Sequence, residues 1–326
     1  MSYTVGSLFA GIGGICLGFK QANCKILWAN EIDVKACETY AHNFPEHSLY
    51  CEDVHNLTNP KKLGEVDIIT SGFPCQAFSV AGYRKGFDDP RGNLFFETAR
   101  FISKLKPKAF LLENVKNLKG HDHGNTFRVI EETIVKKLHY SFIPFVLNSK
   151  DYGGIPQTRE RIYIVGFRSE TKNQKKCTNN FQEIEKIPLI KGIKDVLDKT
   201  KQKDKYYFEK EHQYYGELKR EMKSEETLYQ WRRVYVRENK SNLCPTLTAN
   251  MGTGGHNVPL VKDNYGIRKL TPIECAKFQG FPKKFKFPEG MADSHCYKQA
   301  GNSVVVPVIK RIADEMVRVL DIKYES

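Results

Sequence analysis

The chain reads as an α/β protein: a parallel sheet with helices on both faces, interrupted by one smaller inserted segment. Three observations carry this expectation. From Tyr3 to Phe167 short apolar runs alternate with helical patterns, the βαβ rhythm that builds a parallel sheet. From about residue 170 to 230 the rhythm stops, and Lys, Glu, Gln and Tyr dominate. From Leu270 onward the apolar spacing is helical again.

The first strand is expected over Thr4–Phe9 and runs into Phe9-Ala10-Gly11-Ile12-Gly13-Gly14. Glycines there let the backbone approach a ligand at the N-terminus of a helix over Ile12–Ala22. This is not the dinucleotide fingerprint, because the third glycine would fall at position 16, which is Cys16. A second strand, Lys25–Ala29, ends in Asn30-Glu31-Ile32-Asp33, where a carboxylate can bind both hydroxyls of a ribose. A helix over Val34–Asn43 and a further β-like run lead to Glu52-Asp53-Val54, with Asp53 placed to accept from an adenine amino group.

The next strand, Val66–Ser71, closes on Gly72-Phe73-Pro74-Cys75-Gln76-Ala77-Phe78-Ser79. Proline fixes its own φ and lacks a backbone donor, so the strand stops and Cys75 stands at its end. Reactive groups collect at the carboxyl ends of such strands. After a helix over Leu94–Lys104, the strand Ala109–Glu113 brings Glu113 to the same sheet edge. A helix over Thr126–Leu138 and a strand over Phe142–Leu147 follow. Gln157-Thr158-Arg159-Glu160-Arg161 then leads into the strand Ile162–Phe167. Arg159 and Arg161 are two apart, so an extended backbone would turn both to one side. Two guanidiniums there can hold a carbonyl oxygen, a phosphate or a carboxylate such as Glu113. A carboxyl beside a thiol, with no histidine offered as base, suits a reaction in which the acid binds a ring nitrogen while the thiolate attacks a ring carbon.

Beyond the break, short β-like runs are expected at Trp231–Val236 and Thr246–Ala249, followed by the glycine-rich Met251–Gly255. Helices are expected over Pro272–Phe278 and Val304–Leu320, with Gly301-Asn302-Ser303-Val304 just before the last. Gly-Asn-Ser is also what an ordinary turn and helix cap looks like. The resulting division is residues 1–188, an inserted segment 189–268, and a return to the first domain over 269–326.

With 326 residues, 20 Phe and 16 Tyr the chain can bury a large core. Its 51 Lys and Arg against 38 Asp and Glu give +13, which favours a polyanionic partner, most simply nucleic acid. The excess is spread over the chain rather than gathered in a tail. Nine scattered cysteines with no C-x-x-C pair argue against a disulfide framework or structural zinc and for a reducing cytosol. His121 and His123 have no cysteine nearby, so no metal site is expected. No run approaches the length of a membrane span, and the start lacks a signal-peptide pattern.

Taken in order, Phe9–Gly14, Asn30-Glu31, Asp53, Gly72–Ser79, Glu113-Asn114-Val115, Gln157–Arg161, Arg268–Pro282 and Gly301–Val304 resemble the DNA (cytosine-5) methyltransferases, especially the short bacterial enzymes of restriction–modification systems. The resemblance covers nearly all of the chain except about residues 170–245. It implies the Rossmann-like sheet of S-adenosylmethionine-dependent methyltransferases and an inserted target-recognition domain. It implies cofactor contacts from Phe9, Gly11, Glu31, Asp53, Leu94 and Asn302, with Ala10, Ile12, Gly14, Ile32, Val54, Pro74 and Ser303 in the same motifs. Residues 76–91 would be the mobile loop that closes over DNA, and Thr246-Leu247-Thr248-Ala249 the start of the recognition core. Ala81 departs from relatives that carry a serine there, which touches one loop–DNA contact and not the chemistry. DNA-contact candidates are Ser79, Arg232, Arg233, Arg237, Thr246, Thr248, Gly254 and Gly255.

The implied chemistry explains the residue types. Cys75 would add to carbon 6 of a flipped-out cytosine, since carbon 5 alone is too weak a nucleophile. Glu113 would bind N3 and the exocyclic amine, Arg161 the 2-carbonyl oxygen, and Arg159 would support Cys75 and the sugar–phosphate edge. The product would be S-adenosylhomocysteine, with no metal required. The partners implied are double-stranded DNA holding a target cytosine and a cognate restriction endonuclease. The protein would be a monomer in the bacterial cytoplasm, on the nucleoid when bound to DNA. Two rivals remain at this point. A transfer-RNA cytosine-5 methyltransferase would share the motifs, and a nucleotide-dependent oxidoreductase would share the glycine turn while leaving Cys75 and Glu113 idle. A non-enzymatic DNA-binding module would account for the charge but for none of the catalytic motifs.

Overall fold

The computed structural model of the protein describes residues 2–74, 94–169, 177–232, 234–239, 241–253 and 257–322. It divides into two compact units. The first comprises Met1–Leu147, Glu160–Glu185 and Val308–Ser326; the second comprises Asn148–Arg159 and Lys186–Pro307.

In the first unit, β1 (Thr4–Leu8), α1 (Gly14–Gln21), β2 (Lys25–Glu31), α2 (Val34–Asn43), β3 (Ser48–Cys51), β4 (Ile68–Ser71), α3 (Leu94–Leu105), β5 (Ala109–Val115), α4 (Asn125–Glu132), β6 (Ile143–Asn148) and β7 (Glu160–Phe167) follow one another. They form a seven-stranded sheet in the order β3-β2-β1-β4-β5-β7-β6. β1 pairs in parallel with β2 and β4, β2 with β3, and β4 with β5. β7 runs antiparallel to β5, so the expected parallel sheet is mixed at that edge. All four β4 residues are buried, as are the first six of β5. Continuous burial is what strands covered on both faces require. Phe73, Phe95, Phe101, Phe110 and Trp28 fill the core beside them. Each such side chain contributes roughly 1.5–3 kcal/mol by leaving water.

Sheet order decides which chain ends meet. Ser71, the last residue of β4, is level with Leu112 of β5, so Gly72, just beyond β4, comes level with Glu113. Across the antiparallel β5–β7 ladder, Glu113 faces Tyr163 and Val115 faces Arg161. Glu113 and Arg161 are therefore diagonal neighbours on one face.

The second unit holds α5 (Ser149–Tyr152), α6 (Tyr215–Glu221), β8 (Tyr229–Arg232), β9 (Tyr235–Glu238), β10 (Leu260–Asp263), β11 (Gly266–Lys269), α7 (Pro272–Phe278) and α8 (Asp293–Asn302). Its sheet has the order β11-β10-β8-β9, with β10 antiparallel to β8 and β11, and β8 antiparallel to β9. The final helix, α9 (Val306–Asp321), enters the first unit at Val308.

Several expectations change here. The expected single run Trp231–Val236 is two strands of a hairpin turning after Arg232. Thr246–Ala249 forms no strand; the Leu247 carbonyl and amide are taken by the side chains of Arg159 and Gln157 instead. The return to the first unit lies at residue 308, not 269. Leu270, Cys275, Phe278, Tyr297 and Ala300 bury themselves with Leu247, Met251 and Val261, which keeps α7 and α8 in the second unit. Gly301-Asn302-Ser303 ends α8, a helix not anticipated, rather than opening the last one. Cys37 and Cys51 form a disulfide, which a scattered cysteine pattern did not suggest. No described helix is long and apolar enough to cross a membrane.

Candidate active site

The glycine turn after β1 is built as a ligand cradle. Phe9 adopts φ 54°, a left-handed conformation that costs a bulky residue energy and favours functional positions. Gly11, at φ 55°, has no atom within 4 Å of where a Cβ would stand, so the space beside it is open. Its amide donates to Glu31 Oε2 at 2.7 Å, while Glu31 Oε1 accepts from the amides of Ile32 and Asp33 at 2.9 Å each. Three amides thus orient one carboxylate, and of its about four lone-pair sites some stay open to a ligand's hydroxyls. Ile32 beside it is 60% exposed, an apolar platform at the rim. Phe9 and Leu94 both pack, partly buried, against the main core cluster.

Asp53 accepts from the amide of His55 at 3.0 Å and lies 2.6 Å from its ring Nδ1. The amide bond above all holds the Asp53 carboxyl below its ordinary range. Asn30, buried in β2, donates to the carbonyls of Tyr50 and Glu52 and so fixes the end of β3 ahead of Asp53. Arg100 of α3 donates to the carbonyls of Leu57 and Val54 on the other side. Ala10, Ile12, Gly14 and Val54 are buried and can offer only backbone to a ligand. These features fit a nucleoside: an oriented carboxylate, a second acid beyond it, an apolar rim and an open turn.

The catalytic candidates meet in the same unit. Glu113 is 9% exposed, and Arg161 Nε lies 3.2 Å from its Oε1. A Cβ built on Gly72 would stand 3.8 Å from Glu113 Oε2. Asn114, next to Glu113, donates from Nδ2 to the Phe73 carbonyl at 2.8 Å. The chain leading to Cys75 is therefore tied to the strand that carries Glu113. Pro74 is exposed at the end of that tie. Cys75 and Ser79 lie outside the described residues, as do Arg233, Gly254 and Gly255.

Arg159 and Arg161 do not share one set of partners. Arg159 precedes β7 and is 3% exposed, with its guanidinium donating to the carbonyls of Leu247, Gly301 and Ser303. It knits the second unit together by taking carbonyls that would otherwise be buried without a donor. Gln157 works beside it, donating to the Phe278 carbonyl and accepting from the Leu247 amide. Gly301 must be glycine, because a Cβ there would stand 2.2 Å from the Thr248 carbonyl. Asn302 is exposed and Ser303 buried at the end of α8. Thr246 Oγ1 donates to the Thr158 carbonyl, whereas Thr248, Arg232 and Arg237 are exposed. Gly252 meets the Ser294 carbonyl of α8 at 2.4 Å from a built Cβ, so it serves packing rather than approach to a duplex. Among the described residues no group of three metal-ligating side chains gathers, and His121 bonds Thr126.

Asn30, Arg100 and Asn114 were not among the sequence-derived site residues. For Asn30 and Asn114 the signal was present in outline: a polar side chain inside an otherwise apolar strand is buried only when bonded. Arg100, on a helix and partly buried, gave none.

Comparison with known proteins follows the same lines. Residues 3–318 match the family described as C-5 cytosine-specific DNA methylase. The chain is 54% identical over 316 residues to the Type II methyltransferase M.Bsp6I of Bacillus sp. (strain RFL6), covering 96% of this chain and 98% of that one. It is 38% identical over 319 residues to the Type II methyltransferase M.HhaI of Haemophilus parahaemolyticus, covering 94% and 91%. The DNMT2 structure from Spodoptera frugiperda aligns with TM-score 0.70 at 21% identity over 98% of this chain and 99% of that one, a likeness of fold. A match of this length and identity sets aside the oxidoreductase reading. The chain belongs to the C-5 cytosine-specific DNA methylases.

Proposed function

We propose that this protein methylates carbon 5 of a cytosine within a specific duplex DNA sequence, through a covalent adduct at Cys75. The observation that carries the reading is the Glu113–Arg161 pair, held at 3.2 Å on one sheet face beside the chain that leads to Cys75. A cytosine swung out of the stack, at a cost of a few kcal/mol, would lie against that face. The Cys75 thiolate adds to carbon 6 and turns the ring into an enamine whose carbon 5 is nucleophilic. Glu113 takes N3 and the exocyclic amine, and Arg161 takes the 2-carbonyl oxygen, steadying charge as it develops. After loss of the carbon-5 proton, Cys75 is expelled and the ring regains aromaticity. S-adenosylmethionine, when bound, supplies the electrophilic methyl and leaves as S-adenosylhomocysteine.

Glu31 and Asp53 would hold its ribose and adenine, with Phe9, Ile32 and Leu94 against the ring and the backbone from Ala10 to Gly14 along the amino-acid end. Pro74, Asn302 and Ser303 complete the same assignment. Arg159 acts as a positioning residue through the carbonyls it holds. The exposed Arg232, Arg237 and Thr248, with Ser79, Arg233, Thr246, Gly254 and Gly255, are assigned to DNA. The relatives' Type II names support a role as the modification half of a restriction–modification system. We assign the protein to the cytoplasm, as a monomer beside a cognate endonuclease.

Bisulfite sequencing of DNA from cells expressing the protein tests this. We expect protected cytosines at one recurring sequence, and none from cells expressing Cys75→Ala. Methylation persisting in the variant at more than about a tenth of the wild-type level would refute the covalent mechanism, since a lost nucleophile costs several kcal/mol.

A further inference from the structure

The Cys37–Cys51 disulfide stands at the rim of the proposed nucleoside site. Cys37 lies in the first turns of α2, whose N-cap is Asp33, and its Sγ is 3.5 Å from the Glu31 carbonyl oxygen. Cys51 ends β3, faces Glu31 across the β2–β3 ladder and precedes Asp53 by two residues. The bond therefore joins the helix that follows Glu31 to the strand that delivers Asp53. β3 is a four-residue edge strand paired on one side, so it depends on such ties. The two Cα atoms are 6.0 Å apart, within ordinary disulfide reach.

Among the described cysteines, thiol chemistry would be selective for this pair. Cys51 is exposed, whereas Cys16, Cys24, Cys177, Cys244, Cys275 and Cys296 are buried. Burial pushes the thiols of Cys24 and Cys296 up to about 12 and raises those of Cys16, Cys244 and Cys275 as well. A thiol that keeps its proton exchanges poorly.

We propose that Cys37 and Cys51 form a redox-modification site that tunes cofactor affinity, with a glutathione-type disulfide as oxidant; this rests on the assignment of Glu31 and Asp53 above. The exposed Cys51 thiolate attacks the glutathione disulfide, forming a mixed disulfide and releasing one glutathione thiol. Cys37 then attacks the Cys51 sulfur, closes the protein bond and releases the second. Two electrons and two protons pass from the protein thiols to two glutathiones. Closed, the bond keeps Asp53 in register with Glu31. Open, the edge strand gains freedom that binding must remove. By linkage, a ligand that prefers the closed form resists its reduction by the same factor.

The test uses the full-length chain, equilibrated with oxidised glutathione or with a phosphine reductant and titrated calorimetrically with S-adenosylhomocysteine. Peptide mapping establishes the thiol state. Binding rather than turnover is read because Cys75 is itself oxidisable, and a Cys75→Ser chain repeats the titration without it. We expect the oxidised protein to bind about fivefold more tightly. Cys37→Ser and Cys51→Ser should show the weaker value under both conditions, and saturating S-adenosylhomocysteine should slow reduction of the wild-type bond. Equal affinities with the linked peptide present, or failure of the linked peptide to form, would overturn the proposal. Loss of binding in both states, with the linked peptide formed, would instead bring down the cofactor assignment of Glu31 and Asp53 and this proposal with it.

Discussion

Three neighbours bear on the role proposed for Glu113. The β5–β7 register sets Arg161 diagonally across from it, Gly72 presents no side chain to crowd it, and Asn114 anchors the strand end beside it. Glu113→Gln keeps the volume but removes the charge that Arg161 pairs with and the ability to hold or give a proton. We expect methyl transfer to fall by at least about 100-fold, the lower end of what a positioned acid–base group contributes. Cofactor affinity measured without DNA should stay unchanged, because Glu31 ends β2 and Asp53 follows β3, both away from β5. Single-turnover rates within about threefold of wild type would remove Glu113 from the mechanism. Motif order alone pointed to Cys75, Glu113 and Arg161 as the groups to propose. The separate surroundings of Arg159 and Arg161 were not legible: a spacing of two puts side chains on one side only while the backbone is a strand, and β7 begins at Glu160.

Elements of the second unit are held by a buried ion network more than by their strands, which are four residues each. Arg268 of β11 has no exposed surface and bonds Glu274 twice, at 2.7 and 2.9 Å, and Asp263 at 2.6 Å. Glu274 also closes the capping box of α7 with Thr271. Burial works against the Arg268 charge, but the two carboxylates more than offset it and keep the guanidinium charged. Glu274→Ala would leave that charge buried with half its partners gone. We expect a loss of about 3–5 kcal/mol, read from urea unfolding followed by Trp231 fluorescence in a Trp28→Phe background. A loss below about 1 kcal/mol would mean that water reaches the site and the network is not what fixes α7 to the sheet. The ion network could not be read from the sequence, because Asp263, Arg268 and Glu274 look like three ordinary surface charges until the hairpin and helix bring them together. The capping signal Thr271-x-x-Glu274 was visible, and it is the part of α7 that sequence predicts well.

At the scale of the whole molecule, the alternating first half was readable because a buried parallel sheet leaves continuous apolar runs between helical ones. The second unit was not, because short antiparallel strands rich in Arg, Tyr and Glu carry little periodic signal. Its boundary with the first unit falls at Glu185, inside the region where composition shifts, but its far end at Pro307 was hidden. Helices α7 and α8 are apolar on the side that meets Leu247 and Met251, and a helix does not announce which core it joins. The net charge of +13 is a property of the entire chain and predicts how it meets DNA. Several phosphate contacts should give a log–log dependence of affinity on salt with a slope of roughly −4 to −8. A nearly flat dependence would assign the positive surface to something other than a nucleic acid.

Everything proposed for the reaction depends on a covalent bond between Cys75 and the cytosine it helps to methylate. DNA carrying 5-fluorocytosine at the methylated position has no carbon-5 proton to lose, so an adduct that forms cannot resolve. Incubated with the protein and S-adenosylmethionine, it should yield a complex that survives denaturing electrophoresis, with the modified peptide containing Cys75. An adduct at any other cysteine, or none from protein that methylates ordinary DNA, would contradict the mechanism.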